Sequence, residues 1–275
     1  MRDSAFHCRT RRVLVRIGEA TLSAAILLGA WSLASFYVVE VKGSPFPGPL
    51  ESLASLCRLL AARDLIYEKT IWVHIGQSVG RWLSGYGAAV VAGIGIGALA
   101  GSSNVLYRVL MPVVYAVQLV PGIAWIPIAL LLFGLGNPST VFMVGMVAVG
   151  PVAVSAAVGI RSTPRKYLWA ARMMGAGSAR LFFQVVVPSC ILSILNGLRI
   201  GLANAWRVLV AAEMIVGTGV GLGYIIIESR WSFRFRDAFV CIMIICSIGL
   251  LVEKVFFAAI EGWAMHRMGL SRKES

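Results

Sequence analysis

Between Val109 and Ile160 the chain runs 52 residues without a single Asp, Glu, Lys or Arg. About 20 predominantly apolar residues suffice to cross a bilayer, so this stretch is too long for one membrane helix. Gly134-Leu135-Gly136-Asn137-Pro138 supplies turn residues near its middle, and the whole reads as a transmembrane hairpin. Shorter uncharged stretches, Ala20 to Val39, Trp82 to Tyr107, Leu181 to Leu198 and Ala238 to Val252, repeat the signal on either side. Only 13% of residues are charged, against roughly 25% in soluble domains. The expected fold class is an all-α integral membrane protein.

Apolar runs punctuated by Gly and Pro predict about six transmembrane helices, near 18–39, 77–101, 106–134, 139–158, 189–213 and 238–260. The third contains Pro112, Pro121 and Pro127 with Gly122. Each proline removes an intrahelical hydrogen bond, so this helix is expected to bend. Gln118 to Pro127 is a candidate gate lining, with ordinary kinked packing as the alternative. The chain divides into residues 1–76 (basic tail, first membrane helix and an external amphipathic segment), a five-helix core over 77–260, and a tail over 261–275. In the external segment Leu53, Leu56, Leu59 and Leu60 fall at helical spacing behind Pro45-Phe46-Pro47-Gly48-Pro49, which predicts a helix along the membrane surface.

The formal net charge is +13. In a soluble protein this would raise nucleic-acid binding, but here the cations sit between the apolar spans, where they set orientation and meet anionic headgroups. With the N-terminus inside, the inner segments hold 13 Lys and Arg and the outer segments 7. Both termini are therefore expected in the cytoplasm.

Chemistry within the chain is scarce. No acidic residue lies between Glu68 and Glu213, so 144 consecutive residues lack a carboxylate for acid–base or metal work. The five cysteines and three histidines show no ligand spacing. No Gly-Lys dipeptide occurs, which excludes a phosphate-binding loop of the G-x-x-x-x-G-K-[ST] kind. The chain is not expected to be an enzyme or to hold a cofactor. The run Gly93-Ile94-Gly95-Ile96-Gly97, followed by Gly101, fits close helix contact inside a membrane.

The most informative inner segment is Arg161 to Pro188, basic yet too apolar for a solvated linker. Thr163-Pro164 predicts a helix start, with Thr as cap and Pro at the first position. The helix would break near Gly175-Ala176-Gly177 and restart behind Ser178. Such a pair of short helices either lies among headgroups or docks a cytoplasmic partner.

This segment resembles the permease subunits of binding-protein-dependent ABC importers, whose cytoplasmic loop reads E-A-A, three residues, G, nine residues, I-x-L-P. Here Trp169-Ala170-Ala171 is followed after three residues by Gly175 and after nine more by Val185-Val186-Val187-Pro188. Trp169 replaces the leading Glu, so no role of that carboxylate transfers. Four segments narrow the resemblance to the nitrate, sulfonate, taurine and bicarbonate branch: His74 to Arg81, Pro121 to Pro127, Gly197-Leu198-Arg199 and Ala211 to Met214. Relatives importing thiamine-precursor pyrimidines or aromatic acids are also similar.

The resemblance implies a type I importer permease fold with a coupling-helix loop in which Trp169, Ala170, Ala171, Gly175, Ala176, Gly177, Val185 and Pro188 meet an ATPase. It further implies two ABC ATPase subunits that bind ATP–Mg, a second permease copy, usually identical, and an extracytoplasmic solute-binding protein. The expected cargo is a small oxyanion such as a sulfonate, taurine or nitrate. An ion-coupled carrier is the alternative, although it would normally keep more acidic residues in the membrane.

Arg199, Trp206 and Glu213 are spaced by seven residues, which leaves them about 20° per step off a common face of one helix, spread over about 21 Å. Ionisable groups inside a span normally face protein or water. This stripe, with Arg207, Gln118 and Pro121, is the candidate translocation path or dimer seam. The alternative places Glu213 at the outer interface and leaves the arginines to snorkel.

Overall fold

The computed structural model describes residues 2–61, 64–217 and 219–267. The described residues are almost entirely helical, and the pairing of Ile66 with Lys69 is their one isolated β-bridge. In chain order the helices are α1 (Arg2–Lys42), α2 (Pro49–Leu60), α3 (Ile71–Ser102), α4 (Asn104–Leu119), α5 (Ile126–Phe133), α6 (Asn137–Arg161), α7 (Arg165–Met173), α8 (Ser178–Leu181), α9 (Val187–Val216), α10 (Leu222–Trp231), α11 (Phe235–Leu251) and α12 (Phe257–Arg267). Five stretches are long and apolar enough to cross a membrane: Thr21–Lys42, Ile71–Ser102, Asn137–Arg161, Ser178–Val216 and Phe235–Trp263. A sixth is broken.

That broken element corrects the expected third span. Residues 106–134 do not form one kinked helix: α4 stops at Leu119, and the segment Gly122–Phe133 leaves it at 100°. Pro121 has no N–H to continue the ladder, and Gly122 lies so close to Val208 of α9 that a side chain there would collide with it, with Val147 of α6 in tight contact beside it. The break is held by packing as well as by proline.

The centre of the bundle is α3, α6 and α9. Gly85, Gly93, Gly97 and Gly101 of α3 lie against Val144, Val152, Ala156 and Ile160 of α6, so residue numbers rise together and the two helices run parallel. A Cβ on Gly97 would sit 2.5 Å from the Ala156 Cβ and 2.6 Å from the Ala153 carbonyl oxygen, whereas one on Gly95 would meet nothing within 4 Å. The close contact expected from the glycine run therefore exists, on one face of the run only, and small residues let the backbones approach there. Helix α9 runs antiparallel, Gly197 resting on Ser155 and Gly201 on Ala148.

Helix α1 is peripheral. Its apolar side chains from Leu22 to Val41 are largely exposed. It is tied down by Trp31, whose indole N–H donates to the Pro47 carbonyl at 3.1 Å and whose ring lies 5.4 Å from Phe239, and by Ser35, which donates to Phe46 O at 2.8 Å. The expected helix forms as α2: Ser52, Ser55 and Leu59 are buried against the protein, with Leu56 packed beside them, while Leu53 and Leu60 are exposed. The Glu51 carboxylate pairs with Arg236 of α11, which docks α2 on protein.

Several ends also move. Helix α3 starts at Ile71, so the boundary drawn at residue 76 falls inside it. Both Ile71 and His74 are buried there, and a polar side chain that ended the apolar run did not end the helix. Helices α6 and α9 extend slightly beyond 139–158 and 189–213, and the last span continues through a wide turn at Val252–Phe256 to Arg267. Residues 268–275 of the expected tail lie outside the described residues. The 162–177 loop lies at the end of the bundle where α6 closes and the helix leading into α9 begins, the loop end.

Candidate functional site

At the loop end, α6 closes at Arg161, and α7 starts with Pro164 as its flanking residue, not with a Thr cap. The Thr163 hydroxyl is buried and makes no hydrogen bond to the described residues. Helix α7 buries Ala171 and turns Tyr167, Trp169, Met173 and Met174 outward, the last two 89% and 81% exposed. Ala170 is exposed on the same helix. Interleaved with Arg165, Lys166 and Arg172, these side chains make an apolar surface that none of the described residues covers.

The helix ends on Gly175 at φ +78°. The Gly175 N–H donates to Arg172 O at 2.9 Å and the Ala176 N–H to Ala171 O at 3.0 Å, a pair of bonds that closes a helix on a left-handed glycine. An ideal Cβ on Gly175 would meet nothing within 4 Å, so its need for glycine is conformational. Behind Gly177 the chain re-enters helix at Ser178 and passes through a wide turn at Phe182–Val186 into α9. The second loop helix is thus not separate: Val185 and Pro188 belong to a continuous 39-residue helix from Ser178 to Val216. Pro188 is tolerated in the first turn of α9.

Farther along α9 the expected stripe divides. Arg199 pairs with Glu253 at 3.1 Å, both side chains partly exposed. Trp206 is buried against Trp82, ring centroids 4.6 Å apart. These residues and Arg207 line one cavity of about 280 Å³ between α9 and α11. Gln118 and Pro121 are exposed at the α4 break, and the Gln118 side chain packs beside Gly150 of α6. They do not line that cavity.

Glu213 leaves the stripe altogether. Its side chain is 1% exposed and pairs with Arg81 of α3 at 2.7 Å. The Ser78 hydroxyl lies 2.8 Å from both carboxylate oxygens, and the Gly223 N–H donates to Oε2 at 3.0 Å. Arg81 also donates to Asn137 Oδ1 of α6 at 2.7 Å and to Val220 O at 2.8 Å. Ser78 accepts from the Leu222 N–H at 2.9 Å, and His74 Nδ1 accepts from the Gly221 N–H at 3.1 Å. A side chain at Gly221, φ +147°, would run into the Glu213 carboxylate. One carboxylate therefore fastens α3, α9, α6 and the glycine turn that follows α9. His74, Ser78 and Arg81 escaped sequence reasoning as a site, although their spacing of four and three residues places them on one helical face. The glycines eight and ten residues after Glu213 were the other half of the signal.

A family model described as "Binding-protein-dependent transport system inner membrane component" matches residues 93–268. The chain belongs to this permease family. It is 30% identical over 249 residues to the nitrate import permease protein NrtB of Synechocystis sp., covering 90% of this chain and 88% of that one. It is 32% identical over 247 residues to the taurine transport system permease protein TauC of Escherichia coli, covering 89% and 86%. The bicarbonate transport system permease protein CmpB of Synechococcus elongatus is 29% identical over 201 residues, covering 73% and 72%. Among solved structures, the inward-facing methionine ABC transporter MetNI matches with a TM-score of 0.53 at 18% identity, over 71% of this permease and 94% of that chain. This likeness shows the type I permease fold. The permease is a multi-pass inner-membrane transport component of the nitrate, taurine and bicarbonate branch and not an enzyme.

Proposed function

We propose that this permease carries a small oxyanion such as a sulfonate, taurine or nitrate into the cell by alternating access, driven by two partner ATPases that bind ATP–Mg. The loop end and both termini lie in the cytoplasm, a second and identical permease completes the path, and a solute-binding protein delivers cargo from outside. Supporting the cargo class are the names of the relatives and the arginines of α9. Supporting the orientation is the excess of loop cations.

The observation that carries the reading is mechanical. Helix α7 presents an uncovered apolar and cationic surface, and the next helix runs unbroken for 39 residues from Ser178 to Val216, about 58 Å at 1.5 Å per residue. A shift of α7 with its ATPase is passed to the membrane face of α9 along this helix. Arg207, exposed on that face, requires water or protein at membrane depth, as a path between two copies provides. The carrier alternative draws no support from Glu213, whose carboxylate is committed to Arg81, Ser78 and Gly223.

The test is ATP-driven uptake into proteoliposomes holding the permease, its ATPase and its binding protein. Gly175→Val is expected to abolish uptake while the permease still inserts and folds, because Val cannot adopt φ +78° cheaply. Full uptake by that variant would remove the docking assignment.

A further inference from the structure

The cavity between α9 and α11 has walls of one kind and a charge of another. Leu202, Ile245, Leu250 and Phe257 give it an apolar lining, and Trp82 and Trp206, packed on each other and nearly buried, border it without offering a hydrogen bond. The Trp82 indole N–H donates to Leu202 O at 3.3 Å and that of Trp206 to Ile245 O at 3.2 Å. Arg199 is neutralised by Glu253 at 3.1 Å. Arg207 lines the same space and makes no ion pair or side-chain hydrogen bond among the described residues. Opposite the Trp206 ring is Gly249, whose missing side chain leaves the volume open: a Cβ there would lie 3.5 Å from the indole nitrogen.

A bare inorganic anion is poorly served by such a place. A nitrate or bicarbonate can reach the Arg207 fork, but it has no apolar surface to lay against the rest of the lining, where the two indole N–H groups are already occupied. An organic anion can divide itself between the two kinds of wall. Its sulfonate or carboxylate meets the planar fork of Arg207, and its hydrocarbon or aromatic body lies against the rings. A volume of about 280 Å³ is at the small end of ligand pockets, which sets the size.

We infer that this cavity binds an organic sulfonate or carboxylate with an apolar body, Arg207 taking the anionic group and Trp82, Trp206 and the space beside Gly249 taking the body. The inference rests on the permease reading and narrows its cargo away from inorganic oxyanions.

Equilibrium dialysis of the full permease in lipid nanodiscs, with radiolabelled benzenesulfonate as probe and empty nanodiscs as blank, tests it. Saturable binding is expected, weakened about tenfold or more by Arg207→Ala and by less in Arg207→Lys, which keeps the charge but loses the planar fork. Gly249→Leu, which fills the cavity from the other wall, is expected to abolish binding with Arg207 intact, so a folding defect at one position does not decide the result. Nitrate in excess is expected not to compete. Absence of saturable binding overturns the inference, as does competition by nitrate at equal concentration. Equally tight binding of neutral benzenesulfonamide, unaffected by Arg207→Ala, overturns it in favour of a lipid cavity. ATP-driven uptake measured in parallel separates the two levels: uptake without probe binding removes the cavity assignment alone, and loss of both removes the permease reading with it.

Discussion

Helix α9 carries two ion pairs 14 residues apart, and they are built in opposite ways. The Arg81–Glu213 pair is nearly sealed, its side chains 6% and 1% exposed, with a hydroxyl and a backbone N–H completing the carboxylate's partners. The Arg199–Glu253 pair, 38% and 46% exposed, has neither. A buried pair with satisfied partners fixes geometry and cannot be broken cheaply. An exposed pair contributes little and rearranges easily. One end of the helix is bolted to α3, α6 and the glycine turn, while the stretch nearer the loop end keeps an adjustable contact beside a cavity. A lever needs both a fixed point and a free arm.

The largest effect is expected from Arg81→Ala. It leaves the Glu213 carboxylate buried without its counter-charge, which costs about 3–5 kcal/mol and should lower the thermal unfolding midpoint sharply in detergent. If Arg199→Ala lowered it as much, the contrast between the pairs would collapse. Next, Gly97→Val drives a branched side chain into the Ala153 carbonyl and Ala156, an overpacking expected to cost about 1–3 kcal/mol. Gly95→Val, in open space two residues away, is the control and should be close to neutral on the same measurement. Gly175→Val is expected to cost about 1–2 kcal/mol locally through its left-handed backbone, with a small change in global midpoint but a collapse of ATP-driven uptake. Apart from the Gly95→Val control, the smallest stability effect belongs to Arg199→Gln, under about 1 kcal/mol. An uptake defect without a stability defect in that variant would sharpen the assignment of the pair to the moving region.

What could be read in the chain, and what could not, follows from the range of the forces. The spans were legible because gaps between charges are local, and so was the end of α7, because Ala170-Ala171 with Gly175 four residues on is a local closing pattern. Even the one-sided glycine seam is a matter of helical periodicity. The break in the third span was legible only as a bend. Its 100° angle depends on Gly122 meeting Val208, a contact 86 residues away in the chain. Glu213 was misplaced for the same reason. Heptad spacing put it on a stripe with Arg199 and Trp206, but its partner is 132 residues earlier, and a fully satisfied carboxylate prefers that site to the stripe. Thr163 has the residue type of a cap, yet Pro164 takes the flanking position of α7 and the buried Thr163 hydroxyl makes no hydrogen bond to the described residues. The leucine spacing of α2 showed a helix, but not that Ser52 and Ser55 would be buried, because α2 packs on α11 with Glu51 paired to Arg236.

The central claim is that α7 is the point where a cytoplasmic ATPase grips the permease. It is tested most directly by placing a photocrosslinking amino acid at position 174, where Met174 is 81% exposed, irradiating native membranes, and identifying the adducts by mass spectrometry. The account predicts a crosslink to an ABC ATPase whose yield changes on adding ATP. A folded permease that crosslinks there only to lipid, with or without nucleotide, would contradict it.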